Sequence, residues 1–192
     1  MLISHRLQII GIHPHRTGGT TLFSLLKGCL GADVDILSEH GNAKSSEASL
    51  LKEYKDYFIF GFVRNPWDRL LSWYFLIYGK TEIELSEHRI NFEKIIELDE
   101  FVGPSDPFFH YNQLDFFTND KGEMLANKLY RFENFSEDIK ELFSSLDIPQ
   151  QEIPTNNPTF KRDSRDYYTD KSIELVREKC KKDIEYFGYT FN

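Results

Sequence analysis

Residues 57–74 read YFIFGFVRNPWDRLLSWY, and their reading decides the fold. Tyr57–Val63 is a short apolar, aromatic run without a charge. Runs of this length and character read as strands buried in a sheet. Asn65 offers a helix cap and Pro66 suits the first helical position, so a helix is expected from there to about Tyr78. Arg64 falls at the carboxyl end of the expected strand, the edge at which open α/β sheets bind ligands. Arg69 and Ser72 lie three residues apart and share a helix face. An arginine at a strand end, a helix N-terminus and a helix hydroxyl together form a candidate anion site. A helix salt bridge for Arg69 and a buried cap for Ser72 remain the plainer alternatives.

Toward the N-terminus the same alternation repeats. Leu7–Ile12 (LQIIGI) reads as a buried strand, and Thr20–Cys29 carries Leu22, Leu25 and Leu26 at helical spacing. Between them runs HPHRTGGTT, His13–Thr21. Gly18 and Gly19 permit a tight turn with successive N–H groups exposed. Thr20 and Thr21 add hydroxyls, and Arg16 adds a fixed positive charge. A strand, a glycine turn and a helix N-terminus make a phosphate cradle. The strict GxxxxGK[ST] pattern is absent, since no lysine follows either glycine. An ordinary strand-to-helix turn stays open as the alternative.

Strands alternating with helices predict an α/β domain with a parallel sheet flanked by helices. Further along, Asn91–Glu100 is expected to be helical and Gly103–Pro107 to break the pattern. Lys128–Phe132 is a candidate strand. Asn134–Leu146 is a helix with Phe135, Ile139, Leu142, Phe143 and Leu146 on one stripe and Asn134 or Ser136 as its cap. Asp147–Asp166 holds three prolines and reads as a loop of about 20 residues, a length that is often functional. Asp170–Glu185 is expected to be one last helix, with Ile173, Val176, Cys180 and Ile184 on one side.

The chain has 192 residues, enough for one domain spanning 1–192. Its 31 acidic and 23 basic residues give a net charge of −8, which argues against a general nucleic-acid binder but not against a local anion site. Aromatic residues make up 15%, a core-building composition. Cys29 and Cys180 are far apart and form no CxxC pair, so buried free thiols in a reducing compartment are expected. Met1–Gln8 lacks the apolar core of a signal peptide, and no apolar run approaches the roughly 20 residues of a membrane span. These readings predict a cytoplasmic protein without a membrane segment. No dense carboxylate or histidine cluster suggests a metal.

On the residues quoted above, the chain resembles the PAPS-dependent sulfotransferases of the carbohydrate type, relatives of the heparan and chondroitin enzymes. PAPS is 3′-phosphoadenosine 5′-phosphosulfate. The family's 5′-phosphosulfate loop is usually HxPKTGGTS, and here His13, Thr17, Gly18, Gly19 and Thr20 stand in register. Its 3′-phosphate element is a strand ending in FVRNP followed by a helix serine, here Phe62–Pro66 and Ser72. Arg131–Phe135 (RFENF), Tyr167–Tyr168 and Asp183–Phe191 extend the likeness. The resemblance implies a three-layer, P-loop NTPase-like sulfotransferase fold. It implies binding of PAPS, with PAP as product, by Arg16, Thr17, Gly18, Gly19, Thr20, Thr21, Arg64 and Ser72. Two departures stand out: Arg16 replaces the family lysine, and His15 replaces the usual proline before it. Arginine keeps the charge and donates in a fork, but it is no proton donor near neutral pH.

The implied reaction is in-line sulfuryl transfer to a hydroxyl of a small molecule or glycan, with Arg16 stabilising the leaving phosphate. His40, in SEHGN, is the candidate general base, with an ordinary pKa of about 6.5 suited to the task; Glu39 is a weaker one. An idle loop histidine is the alternative there. His13 belongs to the loop, and His15 is expected near the sulfonate. His110 is expected to pack or to line an acceptor cleft, and His5 and His88 to lie at the surface. Lys161, Arg162 and Arg165 form a basic cluster that is either solvated or faces the site. Two other classes stay open: a nucleotide-binding pseudoenzyme, motivated by Arg16, and a small-molecule kinase, which lacks the loop lysine.

Overall fold

The structure is a computed structural model that describes residues 1–38, 53–79, 83–101, 109–154 and 162–191. Its contacts divide the chain into two compact units. One comprises Met1–Arg64 and Gln113–Thr155, the other Asn65–Asn112 and Asn156–Asn192.

The first unit is built on five strands: β1 (Leu2–Ser4), β2 (Ile9–Ile12), β3 (Asp35–Ile36), β4 (Phe58–Val63) and β5 (Lys128–Arg131). Their order in the sheet is β3-β1-β2-β4-β5. β2, β4 and β5 run parallel, in a register that pairs Ile12 with Gly61 and Val63 with Arg131. β1 pairs antiparallel with both β2 and β3, so the parallel sheet expected from the sequence carries a two-strand antiparallel margin. Helix α1 (Gly19–Leu30) follows β2, and a second helix of this unit spans Phe135–Ser145.

Alternation along β4 places Phe60 and Phe62 in one apolar cluster with Leu22, Phe23, Leu26 and Leu30 of α1. Ile139, Leu142 and Phe143 of the Phe135–Ser145 helix join the same cluster. Each fully buried side chain of this kind contributes roughly 1.5–3 kcal/mol, so this face holds the sheet to its helices. On the opposite side of β4, Gly61 is filled from outside. A Cβ there would sit 2.4 Å from the Phe117 ring and 2.7 Å from the Ile12 carbonyl oxygen.

The second unit is helical. α2 (Pro66–Tyr78) begins as the sequence indicates, with Pro66 at its start and the Asn65 side chain accepting from the Trp67 N–H at 3.1 Å. α3 (Leu85–Glu97) starts six residues before the expected Asn91, because Glu84 precedes it without a side-chain cap to mark the boundary. The Phe135–Ser145 helix of the first unit is α4, and α5 (Asp170–Lys179) opens on a capping box between Thr169 and Ser172.

The single last helix expected over 170–185 is instead two, α5 and α6 (Lys181–Phe187), parted at Cys180. The cause is Asn112. Its Nδ2 donates to the Lys179 carbonyl at 2.9 Å, while its Oδ1 accepts from the Asp183 N–H at 3.3 Å. Those are the two groups that a continuous helix would join to each other, so an inserted amide interrupts the ladder.

Arg69 is fully buried in this unit. It donates to the carbonyls of His110 at 2.6 Å and Tyr111 at 2.8 Å, and its guanidinium lies over the Phe109 ring. Asp183, also fully buried, exerts an opposing charge on it. His88 corrects its expected surface position. It shares the inner face of α3 with Phe92, Ile95 and Ile96, and its Nδ1 lies 2.9 Å from the Tyr74 hydroxyl. Burial holds the His88 pKa below its ordinary value and raises that of Tyr74 to about 12. Among the described residues no helix is long and apolar enough to cross a membrane.

Two outcomes follow from this packing. Gly61→Ala should lower stability by roughly 1–3 kcal/mol through overpacking, with partial recovery on adding Phe117→Leu, read by chemical denaturation. Burial makes His88 harder to protonate in the folded chain than in the unfolded one. Its contribution is therefore complete above an unfolded pKa of about 6.5 and is lost as pH falls below that value. Denaturation midpoints measured downward from pH 7.5 should show this loss, and His88→Gln should flatten that part of the curve.

Candidate functional site

Three neighbouring parallel strands of the first unit end on the same edge, and each hands the chain to a residue of the candidate site. β2 leads into His13, β4 into Arg64 and β5 into Phe132. After β2 the backbone turns sharply: Arg16 has φ 65° and Gly18 φ 82°, both left-handed. Glycine accepts this conformation freely, whereas any other residue meets a cost of about 1–2 kcal/mol. At Gly18 a side chain is also excluded by packing, since a Cβ would lie 2.5 Å from the Phe135 ring. At Gly19 it would lie 1.9 Å from the His13 ring.

The turn delivers the chain into α1 with its first amides open. Gly18 supplies no side-chain cap, and the first turn holds no acidic residue. The first intrahelical bond runs from the Leu22 N–H to the Gly18 carbonyl at 3.0 Å, so the N–H groups of Gly19, Thr20 and Thr21 have no acceptor within the helix. With the positive end of the helix dipole behind them, these groups have the charge and geometry that suit an anion. Thr20 is exposed and Thr21 half-buried. Thr17 is fully buried, and its hydroxyl donates to the Pro14 carbonyl at 2.8 Å, which leaves its backbone as its contribution.

Two cations accompany the turn. Arg16 is partly buried, and desolvation lowers its pKa from the ordinary arginine value without bringing it near neutrality. Arg64 stands just past β4. Its Nη1 donates to the Arg16 carbonyl at 3.3 Å, and its guanidinium carbon lies 4.4 Å from the Phe132 ring centroid. Phe132 also comes within 3.0 Å of the position a Gly18 Cβ would take, so one aromatic ring touches both the glycine turn and Arg64. Gln113, fully buried, meets the Arg64 backbone twice: its Oε1 accepts from the Arg64 N–H at 2.8 Å and its Nε2 donates to the Arg64 carbonyl at 2.7 Å.

The structure thus brings Arg16, Thr17, Gly18, Gly19, Thr20, Thr21 and Arg64 into one unit. Ser72 lies on α2 in the second unit and is fully buried. The expectation that it serves the same anion as Arg64 rests on the sequence motif. His40 and Glu39 fall outside the described residues, as does Lys161. Arg162 and Arg165 are exposed, with Arg165 bonded to Asp163. His13 packs edge-on to Phe23, and His15 is fully buried beside Phe116. His5 is exposed, with its Nδ1 2.9 Å from the Tyr57 hydroxyl. The His110 carbonyl receives Arg69, and its side chain is half-buried. Cys180 is buried as expected, while Cys29 is half-buried. Phe132 and Gln113 were beyond sequence reasoning: the RFENF motif singled out the region of the first, and nothing local marks the second.

Gly18→Ala should destabilise the protein by at least about 1–2 kcal/mol. Exposed Thr20→Ala should change stability by no more than about 0.5 kcal/mol. Chemical denaturation of the two variants checks the contrast.

Comparison with curated proteins and with solved structures finds no match. A family model described as the sulfotransferase family matches residues 33–190. The matched region contains the FVRNP element and Ser72 but begins after the glycine turn, so the turn's geometry and the family match are separate observations. The match covers most of the chain, and the chain belongs to the sulfotransferase family.

Proposed function

We propose that the protein transfers a sulfuryl group from PAPS to a hydroxyl acceptor, a carbohydrate in the leading reading. Membership of the sulfotransferase family supplies the reaction class. The observation that carries the donor assignment is the open N-terminus of α1, which follows directly on a turn whose Arg16 carbonyl receives the Arg64 guanidinium. Backbone N–H groups and guanidinium forks match phosphate and sulfonate oxygens in charge and geometry.

In this reading the donor supplies the sulfuryl group, and the chain's own residues hold its two anionic ends. Arg16 and the amides of Gly19, Thr20 and Thr21 would bind the 5′ end and stabilise negative charge that gathers there during transfer. Arg64 would bind the 3′-phosphate. His40 would accept the proton of the attacking hydroxyl, since an unperturbed imidazole titrates at about 6.5, a value suited to general-base work. The arginine at position 16 favours a second reading, a protein that binds the nucleotide without transferring sulfate, because an arginine cannot pass a proton to the leaving phosphate.

Thermal unfolding with PAP tests the donor assignment. PAP should raise Tm without magnesium, and Arg16→Ala and Arg64→Ala should each reduce the shift. Absence of any shift in the wild type removes the assignment. Transfer of labelled sulfate to a glycan panel separates the two readings. His40→Ala should keep the PAP shift and lose on the order of 10²-fold in transfer rate; an unchanged rate removes the base.

A further inference from the structure

We infer that Gln113 is a positioning residue for recognition of the donor's 3′-phosphate, acting through Arg64. The inference rests on the donor reading above and goes beyond it by naming a residue outside both anion-binding motifs.

Arg64 sits one residue past the last residue of β4, where the ladder to β5 ends at the pair Val63 and Arg131. Among the described residues no strand pairs with its backbone beyond that point. The side-chain amide of Gln113 takes over. It accepts from the Arg64 N–H at 2.8 Å and donates to the Arg64 carbonyl at 2.7 Å. An amide that meets both polar groups of one residue reproduces the pair of bonds that an adjacent strand would make. It therefore fixes the peptide planes on both sides of the Arg64 Cα, and with them the direction in which the side chain leaves. Phe132 beneath the guanidinium and the Arg16 carbonyl at Nη1 then define where the fork ends.

Losing the buried Gln113 amide would remove both of these bonds to the Arg64 backbone. The backbone at Arg64 would shift, and the guanidinium would move with it. A displacement of about 1 Å in a positioned group is enough to cost up to about 10²-fold in function. The loss should fall on the anion that Arg64 grips and spare the one held at the start of α1.

The test compares affinities for PAP and for adenosine 5′-phosphate, which lacks the 3′-phosphate. Wild type should prefer PAP. Gln113→Met keeps the volume and removes both bonds; it should weaken PAP binding about tenfold or more and leave adenosine 5′-phosphate nearly unchanged. Gln113→Asn, one methylene shorter, provides a second variant with a polar head should the first not fold, and the same loss of preference is expected. In an Arg64→Ala background, Gln113→Met should have no further effect on the ratio, a result that general loss of structure would not produce. A wild-type preference that persists in the folded variants, or an undiminished effect in the Arg64→Ala background, overturns the inference alone. A wild type that binds both nucleotides equally overturns the donor reading, and the inference with it.

Discussion

The amide groups of Gly19, Thr20 and Thr21 lie ahead of the first intrahelical bond of α1, and the turn before them is shaped to keep them open. Much of the site follows from that constraint. Unsatisfied donors at a helix start need an acceptor, and a capping serine or aspartate before the helix would have supplied one. Gly18 stands in that place and provides none. The turn is held from two sides, by the aromatic rings against Gly18 and by the imidazole against Gly19. The arrangement is stiff where it is apolar and open where it is polar, which is what recognition of an anion by backbone requires.

The parallel strands give the same logic a wider frame. Because β2, β4 and β5 end on one edge, residues far apart in sequence come together there, including Arg16, Arg64 and Phe132. Family membership rests on the later part of this frame, while the cradle lies before the matched residues. A turn that matches only in part by sequence still closes on an element that matches well, since the carbonyl of Arg16 receives the side chain of Arg64.

Local signals carried far in this chain, and non-local ones did not. The run FIFGFV, the cap at Asn65 and the proline at the next position are each readable without a partner, and β4 and α2 lie where they indicate. The apolar stripe of α4 is equally local. β1 and β3, with three and two residues, are too short to show any period. The break at Cys180 was illegible because its cause, Asn112, lies some seventy residues away in sequence. Arg69 illustrates the same limit. Its place on a face with Ser72 was readable, but its burial against two backbone carbonyls depends on where residues 110 and 111 arrive. The glycine turn and its two arginines were legible as a candidate anion site, while the aromatic and amide groups that contact Arg64 come from segments with no phosphate-binding signature.

Arg16 combines two costs in one residue, a left-handed backbone and a cation partly withdrawn from water. Glycine would adopt the bend more easily, and an exposed lysine would carry the charge with less desolvation. What the chain has instead is a permanent positive centre. Desolvation narrows the margin of its ionisation but leaves it far above neutrality, so no physiological acidity can extinguish it. Any acid-base response of this region has therefore to enter through some other group, and the charge at the turn stays constant while it does.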